Sequence, residues 1–460
     1  MDRTSTTCHP SRTPDGARHV PTRISRVLAV TVVGLAVVTI NLLQACGFTV
    51  GTIESPQDVY DILDESRYVE PYASDRWTVV DDTKLRVEHG WACAEAPSAA
   101  SQQYIGLRIL GFTKMPKNFD GTVFLNGWHL EYKRKDHHVI GLGTSIFNIA
   151  QLNDTLVWNA GGVLSDHNGD DSYRWCYEYT TVAWARPRIN TTGAIDLSPR
   201  VDIQAIHSNP QAQLMYVDRD RVDNVDKIAV SFKPKGKKDP RAVLLAGFGM
   251  SHTDDDHHVR QIGFDIGKAK VKRKKIKLNT DVIFKDDHDR TARAAAIFSV
   301  LTGDSVNVFR PATAWVEGGD ATVGQVSNDL QLTPVTTSSG ACLGDVGERT
   351  VAMAIVTPPY TWAIPMLTGW DIGGPCSDSH VTHAGAWIEN FNYVYVPGAS
   401  NGTLYYTMKT NFGDQDDFPG LSGRGVQVDV LGINLLQPVI ANPSPGGSGG
   451  GGGLSPGFAG

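Results

Sequence analysis

The stretch GWHLEYKRKDHHVIGLG, residues 127–143, has two relatives further along the same chain. Residues 247–263 read GFGMSHTDDDHHVRQIG, and residues 369–385 read GWDIGGPCSDSHVTHAG. Counted from the first glycine, each carries an aspartate at +9, a histidine at +11, a valine at +12 and a glycine at +16. The aspartates are Asp136, Asp256 and Asp378, and the histidines are His138, His258 and His380. The position after the first glycine is aromatic each time: Trp128, Phe248 and Trp370. Three ungapped matches at intervals of 120 and 122 residues make the chain an internal triplication. A single structural unit used three times therefore has to account for most of the fold.

The copies occupy about 86–190, 196–315 and 320–437. The connections carry Pro187, Pro311 and Pro438, which cannot donate to a sheet ladder and so stop the final strands. Within the middle copy, KIAVSF, RAVLLAGF, HHVRQIGFDIG, AKVKRKKIKL, TDVIFKDDHD and ARAAAIFSVLTG are apolar or alternating runs set between turn signals. Six such runs in about 80 residues predict an antiparallel β-sandwich, with Val259 opening a strand and pointing inward. The expected fold is all-β: three tandem antiparallel sandwiches of about six strands each. The 47 glycines and 24 prolines agree with a turn-rich β protein.

The ends are of a different kind. Arg18, Arg23 and Arg26 precede a mostly apolar run from Val27 to Leu43, then Leu-Gln-Ala-Cys46. That is the layout of a lipoprotein-type signal over residues 1–45, with Cys46 as the lipidated residue. An uncleaved anchor or an ordinary secretory signal is the alternative, and each of the three exports the remainder to the cell surface or beyond. Residues 46–85 read as a polar linker with one short helix candidate, SPQDVYDILDES. Residues 438–460 are a Gly/Ser/Pro tail unable to bury surface. In an exported chain, Cys93 and Cys176 of the first copy and Cys342 and Cys376 of the third are expected to pair within their own copies. A net charge of −7, spread along the chain, gives no reason to expect nucleic acid as a partner.

Three features carry candidate chemistry. Aspartate beside histidine suits a polar ligand or a turn. One or two imidazoles per copy fall short of a zinc set, so a shared metal centre requires the three copies to meet around an axis. A second recurring feature reads SDHNGDD at 165–171, KDDHD at 285–289 and GDQDD at 413–417. Asp166, Asn168 and Asp170 have the alternate-residue oxygen spacing of calcium loops but lack the glycine placement and distal glutamate of an EF-hand, so calcium is a secondary expectation and a solvated hairpin turn the first. The seven basic residues between 268 and 277 have no counterpart in the other copies and read as one solvated strand face. No nucleophile or metal motif recurs beside the Asp-x-His element, so no catalytic residue is expected.

The run VSFKP…DPRAVLLAGFGM…DHHV, together with TVFLNGWHL and EYTTVAW of the first copy, resembles the H-type lectin domain. The resemblance covers about 65–80 residues of each copy. It implies a six-stranded antiparallel sandwich that assembles as a trimer and binds N-acetylgalactosamine-type sugars between neighbours, without chemistry; apart from the secondary calcium expectation, no cofactor is expected. By position, the family's sugar-binding arginine falls on His138, His258 and His380. Its loop Trp-His pair falls on Asp166–His167, Asp287–His288 and Asp414–Asp416. The expectation that follows is a surface-anchored adhesion protein for cell-surface or cell-wall glycans, its three copies closed into an intrachain pseudo-trimer. A ligand-free structural surface protein and a metal-dependent glycan-active enzyme are the competing expectations.

If Cys46 is the lipid acceptor, Cys46→Ala should accumulate as an unprocessed precursor that takes up no labelled fatty acid. Continued labelling of the variant would place the anchor elsewhere.

Overall fold

The computed structural model describes residues 77–434 apart from the segments 82–83, 96–106, 134–137, 167–171, 187–200, 206–214, 223–225, 233–239, 253–257, 268–269, 273–274, 287–291, 310–312, 315–325, 328–347, 358–360, 374–379, 396–401 and 415–421. The leader with Cys46, the helix candidate, Cys342, Cys376, the inter-copy prolines and the glycine-rich tail lie outside the described residues.

Among the described residues every regular element is a strand. The first third of the chain supplies β1 (Trp77–Asp81), β2 (Leu85–Glu95), β3 (Leu107–Lys114), β4 (Phe119–Tyr132), β5 (Val139–Leu152), β6 (Thr155–Asp166) and β7 (Tyr173–Ala185). The middle third supplies β8 (Gln204–Ala205), β9 (Met215–Val222), β10 (Asp226–Phe232), β11 (Pro240–His252), β12 (Gln261–Asp265), β13 (Lys270–Lys272), β14 (Lys275–Lys285), β15 (Ala292–Thr302) and β16 (Val306–Phe309). The last third supplies β17 (Thr313–Ala314), β18 (Val326–Ser327), β19 (Glu348–Val356), β20 (Thr361–Gly373), β21 (Val381–Tyr395), β22 (Gly402–Asp414) and β23 (Ser422–Asn434).

Local chemistry explains the hairpins. Between β5 and β6 the chain reverses over Asn153 and Asp154, with Asn153 at φ 55° and Leu152 paired to Thr155. A two-residue turn of this kind needs positive φ, which asparagine tolerates better than most residues. Val259 is fully buried as expected, although β12 begins two residues later, at Gln261. The runs AKVKRKKIKL and TDVIFKDDHD do not form one strand each: the end of the first and the start of the second share β14, which folds back on the short β13. Lys270 and Lys277 face each other across that pair and are both exposed, while Ile276 and Leu278 are fully buried. Lys270 and Lys277 therefore lie on a solvated face. Cys93 and Cys176 stand opposite each other on β2 and β7 and form a disulfide, as expected, closing a loop with a sequence separation of 83. A loop of that size corresponds to roughly 4 kcal/mol on the chain-entropy view.

The strands assemble into three seven-stranded antiparallel sheets and one two-stranded pair, β17–β18. One sheet runs β1-β2-β7-β4-β21-β22-β19, the second β3-β6-β5-β11-β15-β8 with β9 beside β15, and the third β10-β14-β12-β20-β23-β16 with β13 beside β14. Each sheet thus takes strands from two different thirds of the chain. The sandwich expectation placed short strands in small sheets confined to one copy, whereas β4 and β5 have 14 residues and β21 has 15. Length comes from pairing on both edges, because each of these strands has a partner from its own third and another from a neighbour.

Three seams join the thirds: β5 to β11, β12 to β20 and β21 to β4. Their registers coincide. The first glycine of each recurring element faces the +18 residue of another: Gly247 opposite Ser145, Gly369 opposite Asp265, and Gly127 opposite Trp387. The +16 glycines also sit in the seams, with Gly143 opposite Gly249, Gly263 opposite Asp371 and Gly385 opposite His129. The last of the three seams ties the first third to the last and closes a ring.

Immediately before each first glycine the ladder slips by one residue: at Leu125/Gly127, Leu245/Gly247 and Leu367/Gly369. A bulge reverses the side-chain alternation. Leu125, Leu245 and Leu367 therefore join Trp128, Phe248 and Trp370 in the main core. Phe124, Leu244 and Met366, one residue earlier, belong to a second core. Both cores contain residues from all three thirds. The three aromatics meet pairwise, with ring centroids 4.5 to 5.5 Å apart. Offset and edge contacts of this kind add about 0.5–1.5 kcal/mol each beyond burial.

The seams explain why the first glycine recurs. A Cβ on Gly127 would lie 2.4 Å from the Cβ of Trp387, and one on Gly247 would lie 2.4 Å from that of Ser145. Gly127→Val should lower stability by at least the ~1–3 kcal/mol typical of overpacking, read as the urea midpoint. Gly141→Ala, whose added Cβ meets nothing closer than 3.6 Å, should stay near wild type.

Candidate functional site

The Asp-x-His-Val element links two sheets in every third. In the first it leads from β4 to β5, in the middle from β11 to β12, and in the last from β20 to β21. The outermost described seam pairs at this end are Ser251–Gly141, Gly373–Gln261 and Glu131–His383. Each +11 histidine lies three residues before the second member of such a pair, so all three emerge at the same end of the ring. Behind them Val139, Val259 and Val381 are buried at 3% exposure or less and anchor the turns.

There the three histidines converge. The rings of His138, His258 and His380 lie with centroids 4.6, 4.9 and 5.0 Å apart. One ring nitrogen from each lies within 4.8 Å of the other two, and all three side chains are half-buried. Asp136, Asp256 and Asp378 lie outside the described residues. The axis that a shared metal centre demands is present. The donor set is three imidazoles, which suits zinc and its transition-metal neighbours; calcium takes oxygen ligands.

The second recurring feature comes to the same end. Asp166, the last residue of β6, faces Val139, and Asp414, the last of β22, faces Val381. In the middle third the described pairing reaches Gln261–Lys285, two residues short of Val259. Asp166 is buried at 4% exposure, and so is not the solvated tip of a hairpin turn. His167, Asp287, His288 and Asp416, with the rest of the calcium-like spacing after Asp166, lie outside the described residues.

Sequence reasoning missed a buried polar system beside the seam between the first and last thirds. Asn126, the extra residue of its bulge, is fully buried. Its Nδ2 donates to Thr180 Oγ1 at 2.8 Å and to the Pro365 carbonyl at 2.9 Å, and its Oδ1 accepts from the Leu367 N–H at 2.9 Å. Thr180 Oγ1 also lies 3.2 Å from His89 Nδ1. The other ring nitrogen of His89 is 3.7 Å from Glu178 Oε2, which accepts from the Ile388 N–H at 3.2 Å. Nearby, His129 lies edge-on to His383 and its Nε2 is 3.1 Å from Asn411 Nδ2. Neither His89 nor His129 belongs to a motif that recurs as histidine, so no pattern marked them.

Burial pulls the His89 imidazole down to about 3, against a smaller opposing pull from a backbone hydrogen bond at Ile388. Burial also pulls His129 down to about 4, helped by the charges of His383 and Arg174. Both rings are therefore neutral in the folded chain at pH 7, and their role is to bridge strands.

No family model, curated protein or solved structure matches the chain.

The two depressed histidines fix a pH dependence. Unfolding returns them to about 6.5, so the unfolded chain binds more protons between that value and about 3 for His89 or about 4 for His129. Their contribution is fully present above pH 6.5 and is lost as pH falls through this window. Each neutral ring contributes a slope of up to about 1.4 kcal/mol per pH unit there. The urea midpoint should fall between pH 7.5 and pH 5, less steeply in His89→Gln than in wild type.

Proposed function

We propose that the chain is an exported, surface-anchored carbohydrate-binding protein of lectin-like, non-catalytic character, with its three related loop sets presented at one end of an intrachain pseudo-trimer. The observation that carries this reading is the strand register. Val139 opposite Asp166 and Val381 opposite Asp414 bring the two recurring polar features of a copy side by side. The common seam register points the histidine-bearing turns the same way. The aspartates and histidines of these two features, the buried Asp166 apart, are residue types that supply the directional acceptors and donors sugar hydroxyls require. Covalent linkage supports the pseudo-trimer, since it replaces a bimolecular association by an intramolecular one at high effective concentration. The H-type lectin resemblance supplies the substrate class, N-acetylgalactosamine-type sugars.

A second reading, a structural surface protein without a ligand, is favoured by one observation. The polar groups around Asn126, His89 and Glu178 are spent on joining strands rather than on lining an opening.

A glycan array probed with the leaderless chain separates the two. The lectin reading expects binding to a narrow set of sugars, reduced at least about tenfold in Asp414→Ala. A folded monomer that binds no glycan of any class would leave the structural reading in place.

A further inference from the structure

We infer that His138, His258 and His380 form a binding site for a divalent transition-metal ion, zinc being the reference case, with one ligand from each third of the chain. Two levels of the same ring differ in what they require of the side chain. At the +1 level the three copies use Trp128, Phe248 and Trp370, so that site accepts rings of different size as long as they fill space. At the +11 level all three copies use histidine, although tryptophan, phenylalanine or tyrosine would bury more apolar area there. What histidine adds over those residues is a ring nitrogen with a lone pair. The neighbouring +10 position varies, with His137, His257 and Ser379, so the shared requirement falls on +11 alone.

Geometry agrees with the chemistry. One nitrogen from each ring lies within 4.8 Å of the other two. At that limit an ion at their centre would sit about 2.8 Å from each, and an inward shift of about 0.7 Å per ring reaches the ~2.0–2.1 Å of a Zn–N bond. All three rings are only half-buried. Three protein ligands complete three corners of a tetrahedron and leave the fourth to water or an exogenous donor, unlike a closed structural site. The donor set selects zinc, cobalt, nickel or copper over calcium and magnesium.

The bound ion would act as a clasp. Its three ligands come from three turns that enter three different sheets, so it ties together at one point what the seams tie along their length. Ligation to the folded ring alone stabilises it by linkage.

The test uses the leaderless chain, stripped with a chelator and dialysed, then titrated with zinc sulfate and, in parallel, cobalt chloride. One equivalent of zinc should bind, cobalt should give the intense visible absorption of a tetrahedral site, and the melting temperature should rise by about 3 °C or more at saturating zinc. His258→Ala and, separately, His380→Gln should each lose at least about tenfold in zinc affinity while keeping the far-ultraviolet spectrum of the parent. Absence of zinc and cobalt binding by the wild-type chain would overturn the proposal. So would undiminished binding in a folded His138→Ala/His258→Ala/His380→Ala variant, or loss of binding in His257→Ala with retention in His258→Ala.

Discussion

The rest of this molecule depends on backbone hydrogen bonding across three seams. Each of β4, β11 and β20 is edged on one side by a strand of its own third and on the other by a strand of a neighbour. An open sheet edge exposes unpaired N–H and C=O groups, and three separate sandwiches would have carried several such edges near the centre of the assembly. Pairing the edges with one another satisfies those groups and fuses the sheets. The requirement is close approach of two strands, as at Gly127, Gly247, Gly143 and Gly385, where an added Cβ would lie 2.4 to 2.8 Å from its nearest neighbour.

The seams share a register but differ in what they bury beside it. Between the first and middle thirds, Gly143 faces Gly249, and no side chain intervenes. Between the middle and last thirds, Asp371 accepts from Gln261 Nε2 at 2.6 Å. Between the first and last thirds, Asn126, Thr180, His89 and Glu178 form a wider polar system, and His129 separately meets Asn411. Buried groups of this type are costly to leave unpaired and are satisfied only in one alignment. The ring thus combines a three-fold backbone pattern with side chains that tell the seams apart.

Much of this was legible in the sequence. The alternation of apolar residues announced strands, and the repeated glycine marked the positions at which the three seams share a register. The Cys93–Cys176 pairing followed from confinement of both cysteines to one copy. The bulges were not legible, because a one-residue slip at Asn126, Ala246 or Thr368 leaves no local signature beyond the glycine that follows. Nor was the single strand β14, since Asn279 in its middle falls between two runs that read as separate strands. The convergence of His138, His258 and His380 depends on contacts between residues more than a hundred positions apart, which local periodicity does not encode. The partners of His89 and Asn126 were hidden for the same reason.

Closure of the ring also sets the order in which the chain can complete itself. The seam between β4 and β21 pairs Gly127 with Trp387, at a sequence separation of 260 (387 − 127). Pairings of such separation pay their loop-closure entropy before any contact rewards it, and they dominate the folding time of β proteins. The β4 edge is made early and its partner arrives last, so a half-finished chain presents a long apolar strand edge to its surroundings. A protein built this way is most exposed to self-association during that interval, and its vulnerability lies in the arrival of its final third.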